Sequence, residues 1–182
     1  NKTVHPGEIS LAHGGVLFLD ELPEFSRSAL ETLRQPLEDR QITISRAKYT
    51  VTLPCSFMLV ASMNICPCGY YNHPTHECKC MPEQIQRYMN KISGPLLDRI
   101  DIQVEVTPVP VEELSQLPSG ESSAMIRQRV EEARKIQTER FKDCPGIHCN
   151  AQMTRRLLEQ YARLDEESAN VLSAAMRRYN LS

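Results

Sequence analysis

The chain has 182 residues, 41% of them hydrophobic, with 21 Lys and Arg against 23 Asp and Glu for a formal net charge of -2. That composition describes an ordinary globular protein of one domain or two small ones. It excludes bulk attraction to nucleic acid or acidic membranes, so any contact with a polyanion has to be local. No apolar run approaches the roughly 18 residues of a membrane-spanning helix. The start Asn1-Lys2-Thr3-Val4-His5 is neither a signal peptide nor an initiator methionine, and the chain reads as a piece of a longer protein. Seven cysteines without secretory features, four of them between Cys66 and Cys80, favour a reducing cytoplasm and metal ligation over disulfides.

In chain order, Val16 to Asp20 predicts a buried strand, an unbroken apolar run between Gly14-Gly15 and Pro23. Ser26 then caps a helix through about Asp39, with Ala29, Leu30, Leu33 and Leu37 on one face and Pro36 bending it. Gln41 to Ser45 and Thr50 to Leu53 alternate apolar and polar residues, the pattern of a hairpin with Arg46-Ala47-Lys48-Tyr49 at its tip. Phe57 to Met63 predicts a second buried strand ending at Asn64, and Asp101 to Val106 a third, short one. Prolines and glycine over 107–120 interrupt regular structure. Beyond them the pattern is helical, over Ser122 to Lys142, Met153 to Leu164 and Asp165 to Tyr179.

The first strand runs its apolar residues directly into Asp20 and Glu21. A rigid strand end can hold one carboxylate in a magnesium shell while the next activates an attacking water. A solvated sheet margin produces the same two letters, so the pair alone leaves both readings open. Asn64, at the end of the next strand, offers a carboxamide to position a water near a terminal phosphate. Arg99, in Gly94-Pro95-Leu96-Leu97-Asp98-Arg99, offers a guanidinium to neutralise a transferred phosphoryl group.

The runs PGEISLAHGGVLFLDELPEFSR, LRQPLEDR, ITISRAKYTVTLP, SMNICPCGYY and ISGPLLDRIDIQVEV together closely resemble the magnesium-chelatase-like AAA+ ATPases, of the bacterial ComM (YifB-type) group. The resemblance implies an α/β fold, the C-terminal part of an AAA+ P-loop core with a β-hairpin insertion over residues 1–107. A linker at 108–121 and a partial all-helical lid at 122–182 would follow. It further implies Asp20 and Glu21 as Walker B, Asn64 as sensor 1, Arg99 as arginine finger, and ATP and Mg2+ as cofactors. The parent would be a homo-oligomeric ring, expected as a hexamer, acting on DNA as a helicase or branch-migration factor in natural transformation. Gly14 departs from the family pattern, where a larger residue is usual. No G-x-x-x-x-G-K-[ST] occurs, so the phosphate loop is expected upstream, sensor 2 beyond Ser182, and the isolated chain is expected not to hydrolyse ATP.

At the hairpin tip, Arg46 and Lys48 are consistent with solvated turn residues. The resemblance instead implies that they point into a pore, where a ring of such cations grips a phosphate backbone. Cys66, Cys68, Cys78 and Cys80 form two C-x-C pairs that suit tetrahedral Zn2+, with His73 or His76 able to replace a sulfur. Two competing readings stay open: a magnesium chelatase ATPase subunit serving porphyrin metal insertion, and a non-enzymatic zinc-bearing interaction module.

Overall fold

The computed structural model describes residues 5–46, 49–106, 109 and 120–179. The chain divides into two compact units, Asn1–Val111 and Glu112–Ser182, a mixed α/β unit and a helical one.

A short helix α1 (Glu8–Leu11) precedes strand β1 (Val16–Leu19). Between them Gly14 stands at φ 74, in the left-handed region that favours glycine, which gives a physical reason for the small residue there. Its amide bonds the Ser56 carbonyl at 2.7 Å and aligns β1 with β4 (Met58–Ala61), to which it pairs in parallel from Val16↔Met58 to Leu19↔Ala61. The inward residues Leu17 and Leu19 pack on a core of Leu22, Leu30, Leu33, Ile92 and Leu96, which Met63 and Leu97 extend. The outward residues Val16, Phe18, Met58 and Val60 are 41–58% exposed. The expectation of fully buried strands is therefore corrected to strands buried on one face, because the described helices pack against one side of the pair.

The helix expected from Ser26 to Asp39 is two helices, α2 (Arg27–Glu31) and α3 (Arg34–Asp39). Ser26 caps the first by accepting from the Ala29 amide at 3.3 Å. Pro36 has no N–H to give Thr32, and Thr32 turns its hydroxyl onto the Ala29 carbonyl at 2.6 Å, so the predicted bend becomes a break. Strands β2 (Gln41–Arg46) and β3 (Tyr49–Pro54) form the expected hairpin, with Ile42 opposite Leu53 and Ile44 opposite Val51. On its other face the hydroxyls of Thr43 and Thr52, and of Ser45 and Thr50, meet at 3.0 and 3.1 Å.

After the cysteine loop come α4 (Pro82–Met89) and α5 (Gly94–Leu97), the latter capped by Ser93. The expected third strand at Asp101–Val106 is corrected: the segment has no strand partner among the described residues, and Ile102, Val104 and Val106 are 77–86% exposed. Its alternation fits a ladder, but a strand exists only where a neighbour completes its hydrogen bonds.

In the second unit, α6 (Ser123–Arg140) begins at Ser122, whose hydroxyl accepts from the Met125 amide, and is followed by α7 (Arg155–Tyr161) and α8 (Glu166–Tyr179). Among its described residues Phe141 and Leu157 are buried, and Arg140 lies over the Phe141 and Tyr161 rings while bonding Asn150 at 2.7 Å.

Burial separates what the core requires from what the sheet merely carries. Leu96→Ala, at a fully buried position, should lower stability by about 2–5 kcal/mol. Val16→Ala, on the open sheet face, should cost less than about 1 kcal/mol. Denaturant midpoints of the two variants check this, and equal losses would contradict the one-sided core.

Candidate functional site

Because β1 and β4 are parallel and end at the same level, Asp20 and Ser62 leave the sheet side by side. Two backbone bonds carry the pairing past the strand ends, from the Ser62 amide to the Leu19 carbonyl at 3.0 Å and from the Leu22 amide to the Ser62 carbonyl at 2.9 Å. The Ser62 hydroxyl donates to Asp20 Oδ1, and the Glu21 amide donates to the same oxygen at 3.1 Å. One carboxylate oxygen is thus fixed by two donors while the side chain stays exposed. Glu21 sits at φ 51, ψ 51, a left-handed conformation uncommon outside glycine. That turn drives Leu22 and Pro23 into the core and leaves the Glu21 carboxylate in solvent. Ser62 escaped the sequence reading. The usable signal is register: it follows the second strand at the position paired with the end of the first.

Asn64 lies two residues beyond Ser62 and is exposed. Gly69 backs onto it, since a β-carbon at position 69 would stand 3.8 Å from Asn64 Cγ. Tyr88 of α4 is 8% exposed, and its phenol is pushed up by burial first, then by the charges of Glu24, Glu21 and Cys66. Lys91 pairs with Glu24 at 3.6 Å and lies over the Tyr88 ring. Arg99 is half-buried; it donates to the Pro95 carbonyl at 3.2 Å and forms an ion pair with Glu38 of α3. The structure therefore joins Asp20, Glu21 and Ser62, sets Asn64 on the loop that follows, and engages Arg99 with Glu38 of the same chain. Lys48 and the side chain of Arg46 lie outside the described residues.

The four loop cysteines converge. Cys66 is buried, Cys68, Cys78 and Cys80 are half-buried, and their sulfurs all lie within 4.8 Å of one another. The separations Cys66–Cys68, Cys66–Cys78 and Cys68–Cys78 are 3.4, 3.7 and 3.6 Å. A tetrahedron with bonds of about 2.3 Å to sulfur has edges of about 3.8 Å, so the donor set fits a metal ion of that geometry. His73 and His76 lie outside the cluster, their rings 4.7 Å apart and gathered with Tyr70. The possibility that a histidine replaces a sulfur is thereby corrected: the ligand atoms that converge are the four sulfurs, while His76 stacks on Tyr70 and His73 meets the same ring edge-on.

The thiols differ sharply. The Tyr70 amide, helped by the neighbouring sulfurs and opposed by burial, holds Cys68 down at about 6. At Cys78 the Cys80 amide pulls downward, but burial and the other sulfurs outweigh it and push the thiol up to about 12. Cys80 is raised, chiefly by its bond to Cys68. Cys55 is fully buried, and burial followed by the Asp39 charge pushes its thiol up. In the reduced chain stripped of metal, iodoacetamide at about pH 7 should modify Cys68 first, since above a pKa near 6 its thiolate dominates. Cys55 should react only on unfolding. Peptide mass spectrometry of timed samples reads both rates, and equal rates would contradict this ordering.

Residues 1–114 match the family described as magnesium chelatase, subunit ChlI, and residues 120–182 match the C-terminal part of the same subunit. The competence protein ComM of Haemophilus influenzae is 45% identical over 178 residues, which cover 97% of this chain and 34% of that protein. YifB of Escherichia coli is 45% identical over 180 residues, with 97% and 34% covered. A more distant match is the probable DNA helicase MCM9 of Arabidopsis thaliana, 28% identical over 96 residues, 53% of this chain and 13% of the helicase. The chain spans about a third of the length of the two bacterial relatives. With both family models matched in order along its length, the chain belongs to the magnesium chelatase (subunit ChlI) family, and 97% of it aligns with the bacterial ComM and YifB proteins at 45% identity.

Proposed function

We propose that this chain supplies the hydrolytic end and the lid of an ATP-driven AAA+ ring, expected as a hexamer, that moves DNA. The observation that carries the reading is the double hold on Asp20 by the Ser62 hydroxyl and the Glu21 amide at the carboxyl ends of two parallel strands. Ligands of open α/β sheets bind outside those ends. An exposed carboxylate with one oxygen already fixed also suits a hard cation that keeps several waters.

In this reading Asp20 holds the water shell of Mg2+, which neutralises charge on the phosphates of ATP. Glu21 accepts a proton from the attacking water, and Asn64 orients that water. Arg99 serves the site of an adjacent copy, which requires it to leave Glu38. In this reading the phosphate-cradling loop, whose G-x-x-x-x-G-K-[ST] pattern does not occur in these 182 residues, is supplied by another part of a longer protein, and the chain by itself is expected not to hydrolyse ATP. Cys66, Cys68, Cys78 and Cys80 hold a structural Zn2+; four protein ligands leave no open position for catalysis. The name of the distant helicase favours DNA as the partner, and in this reading Arg46 and Lys48 are its contacts. No helix among the described residues is long and apolar enough to cross a membrane. The seven cysteines, without secretory features, favour a reducing cytoplasm as the site of action.

A second reading rests on the family's own description, a chelatase subunit: the ring would then remodel a protein partner in porphyrin metalation. Both readings predict that Glu21→Gln in the longer protein keeps ATP binding and lowers turnover by about 10²-fold or more. Normal turnover of that variant would refute Glu21 as the base. The two part at the hairpin. In the DNA reading, Arg46→Ala with Lys48→Ala abolishes DNA-stimulated turnover, leaves basal hydrolysis intact and makes the salt dependence of binding shallower. Undiminished DNA stimulation and an unchanged slope would shift the balance to the chelatase reading.

A further inference from the structure

We propose that the four-cysteine metal centre is a positioning device for Asn64, so that metal loading governs the hydrolytic end of the sheet. This rests on the reading of Asn64 as a residue acting beside Asp20 and Glu21, and of the cysteines as metal ligands. The argument lies in how the chain between them is anchored. Ser62 is pinned by its backbone bonds to Leu19 and Leu22 and by its hydroxyl on Asp20. Cys66, four residues on, is fully buried within the sulfur cluster.

Met63, Asn64 and Ile65 alone lie between these anchors. Each residue reaches at most about 3.6 Å, so a segment this short, held at both ends, has few conformations left. Met63 packs on the core, which narrows the choice further. The loop then returns: the Gly69 amide bonds the Cys66 carbonyl at 3.1 Å, and Gly69, at φ 79, comes beside Asn64, where a β-carbon would stand 3.8 Å from Asn64 Cγ. Asn64 is thus held from below by the strand and flanked by the loop that the cysteines tie. Without a metal, the sulfur end of the segment depends on weak thiol hydrogen bonds, and the Asn64 carboxamide loses one of its two supports. Cys78 and Cys80 act from outside the segment, by closing the loop that carries Gly69.

Metal analysis and hydrogen exchange on the reduced 182-residue chain test this, in zinc-loaded, chelator-stripped and zinc-restored states. The expected result is about one zinc per chain. Stripping should accelerate exchange of the Gly69 amide, which bonds the Cys66 carbonyl beside Asn64, by at least about tenfold, the hairpin over Gln41–Ile44 should be unaffected, and zinc should restore the original rates. Cys78→Ser should reproduce the stripped state; if that variant fails to fold, the reversible stripping of the wild type decides.

A reduced wild-type chain that takes up no zinc refutes the metal reading and this inference together. Zinc uptake with unchanged exchange at Gly69 on stripping refutes the positioning role and spares the metal site. Loss of protection throughout the first unit shows a metal that merely holds the fold, and also refutes it. In the longer protein, zinc removal should lower kcat while nucleotide affinity is retained, as Asn64→Ala should. Turnover untouched by Asn64→Ala removes the hydrolytic reading and the inference with it. Turnover that falls for Asn64→Ala but not on zinc removal removes the inference alone.

Discussion

The parallel pairing of β1 with β4 is the constraint from which the rest of the first unit follows. Parallel strands point their carboxyl ends the same way, and the equal register from Val16↔Met58 to Leu19↔Ala61 brings both chains out of the sheet at one level. Only under that condition can a serine from one strand bond a carboxylate from the other. A slip of one residue would turn Leu17 and Leu19 away from the core and carry the acids with them. The apolar packing that fixes the register therefore also fixes the polar contact, and stability and site geometry have a single origin.

Much of this was legible because local chemistry decided it. Ser26 caps because its hydroxyl reaches the Ala29 amide; the hairpin forms because its alternation matches a two-residue period; the four cysteines of the two C-x-C pairs come together within one loop. The misreadings share a cause in long-range context. Asp101–Val106 has the letters of a strand and no neighbour among the described residues, and Val16 and Phe18 have the letters of burial without a covering layer. Ser62 and Tyr88 went unnoticed because each acquires meaning only from residues distant in sequence: Asp20 for one, Glu21, Glu24 and Cys66 for the other.

Arg99, expected from the resemblance to be an arginine finger, is engaged within its own chain. Within one chain its guanidinium is half-buried against Glu38 and the Pro95 carbonyl, a geometry that orders α3 against the turn after α5. An exposed or half-exposed ion pair contributes little to stability. The same pair can therefore be exchanged for another anion at small cost, which is the property that a guanidinium shared between two sites requires.

The open face of the β1–β4 pair has a consequence for how the chain behaves in solution. Val16, Phe18, Met58 and Val60 present four contiguous apolar side chains to water. Association through such a face is driven by hydration rather than by directed bonds, so any contact it makes, with another copy or with the remainder of a longer polypeptide, strengthens on warming and in sulfate and loosens in the cold. Temperature and salt type thus act on this unit in the opposite sense to their action on an ion-paired surface: conditions that screen the charges tighten the sheet's outer contact, and chilling releases it.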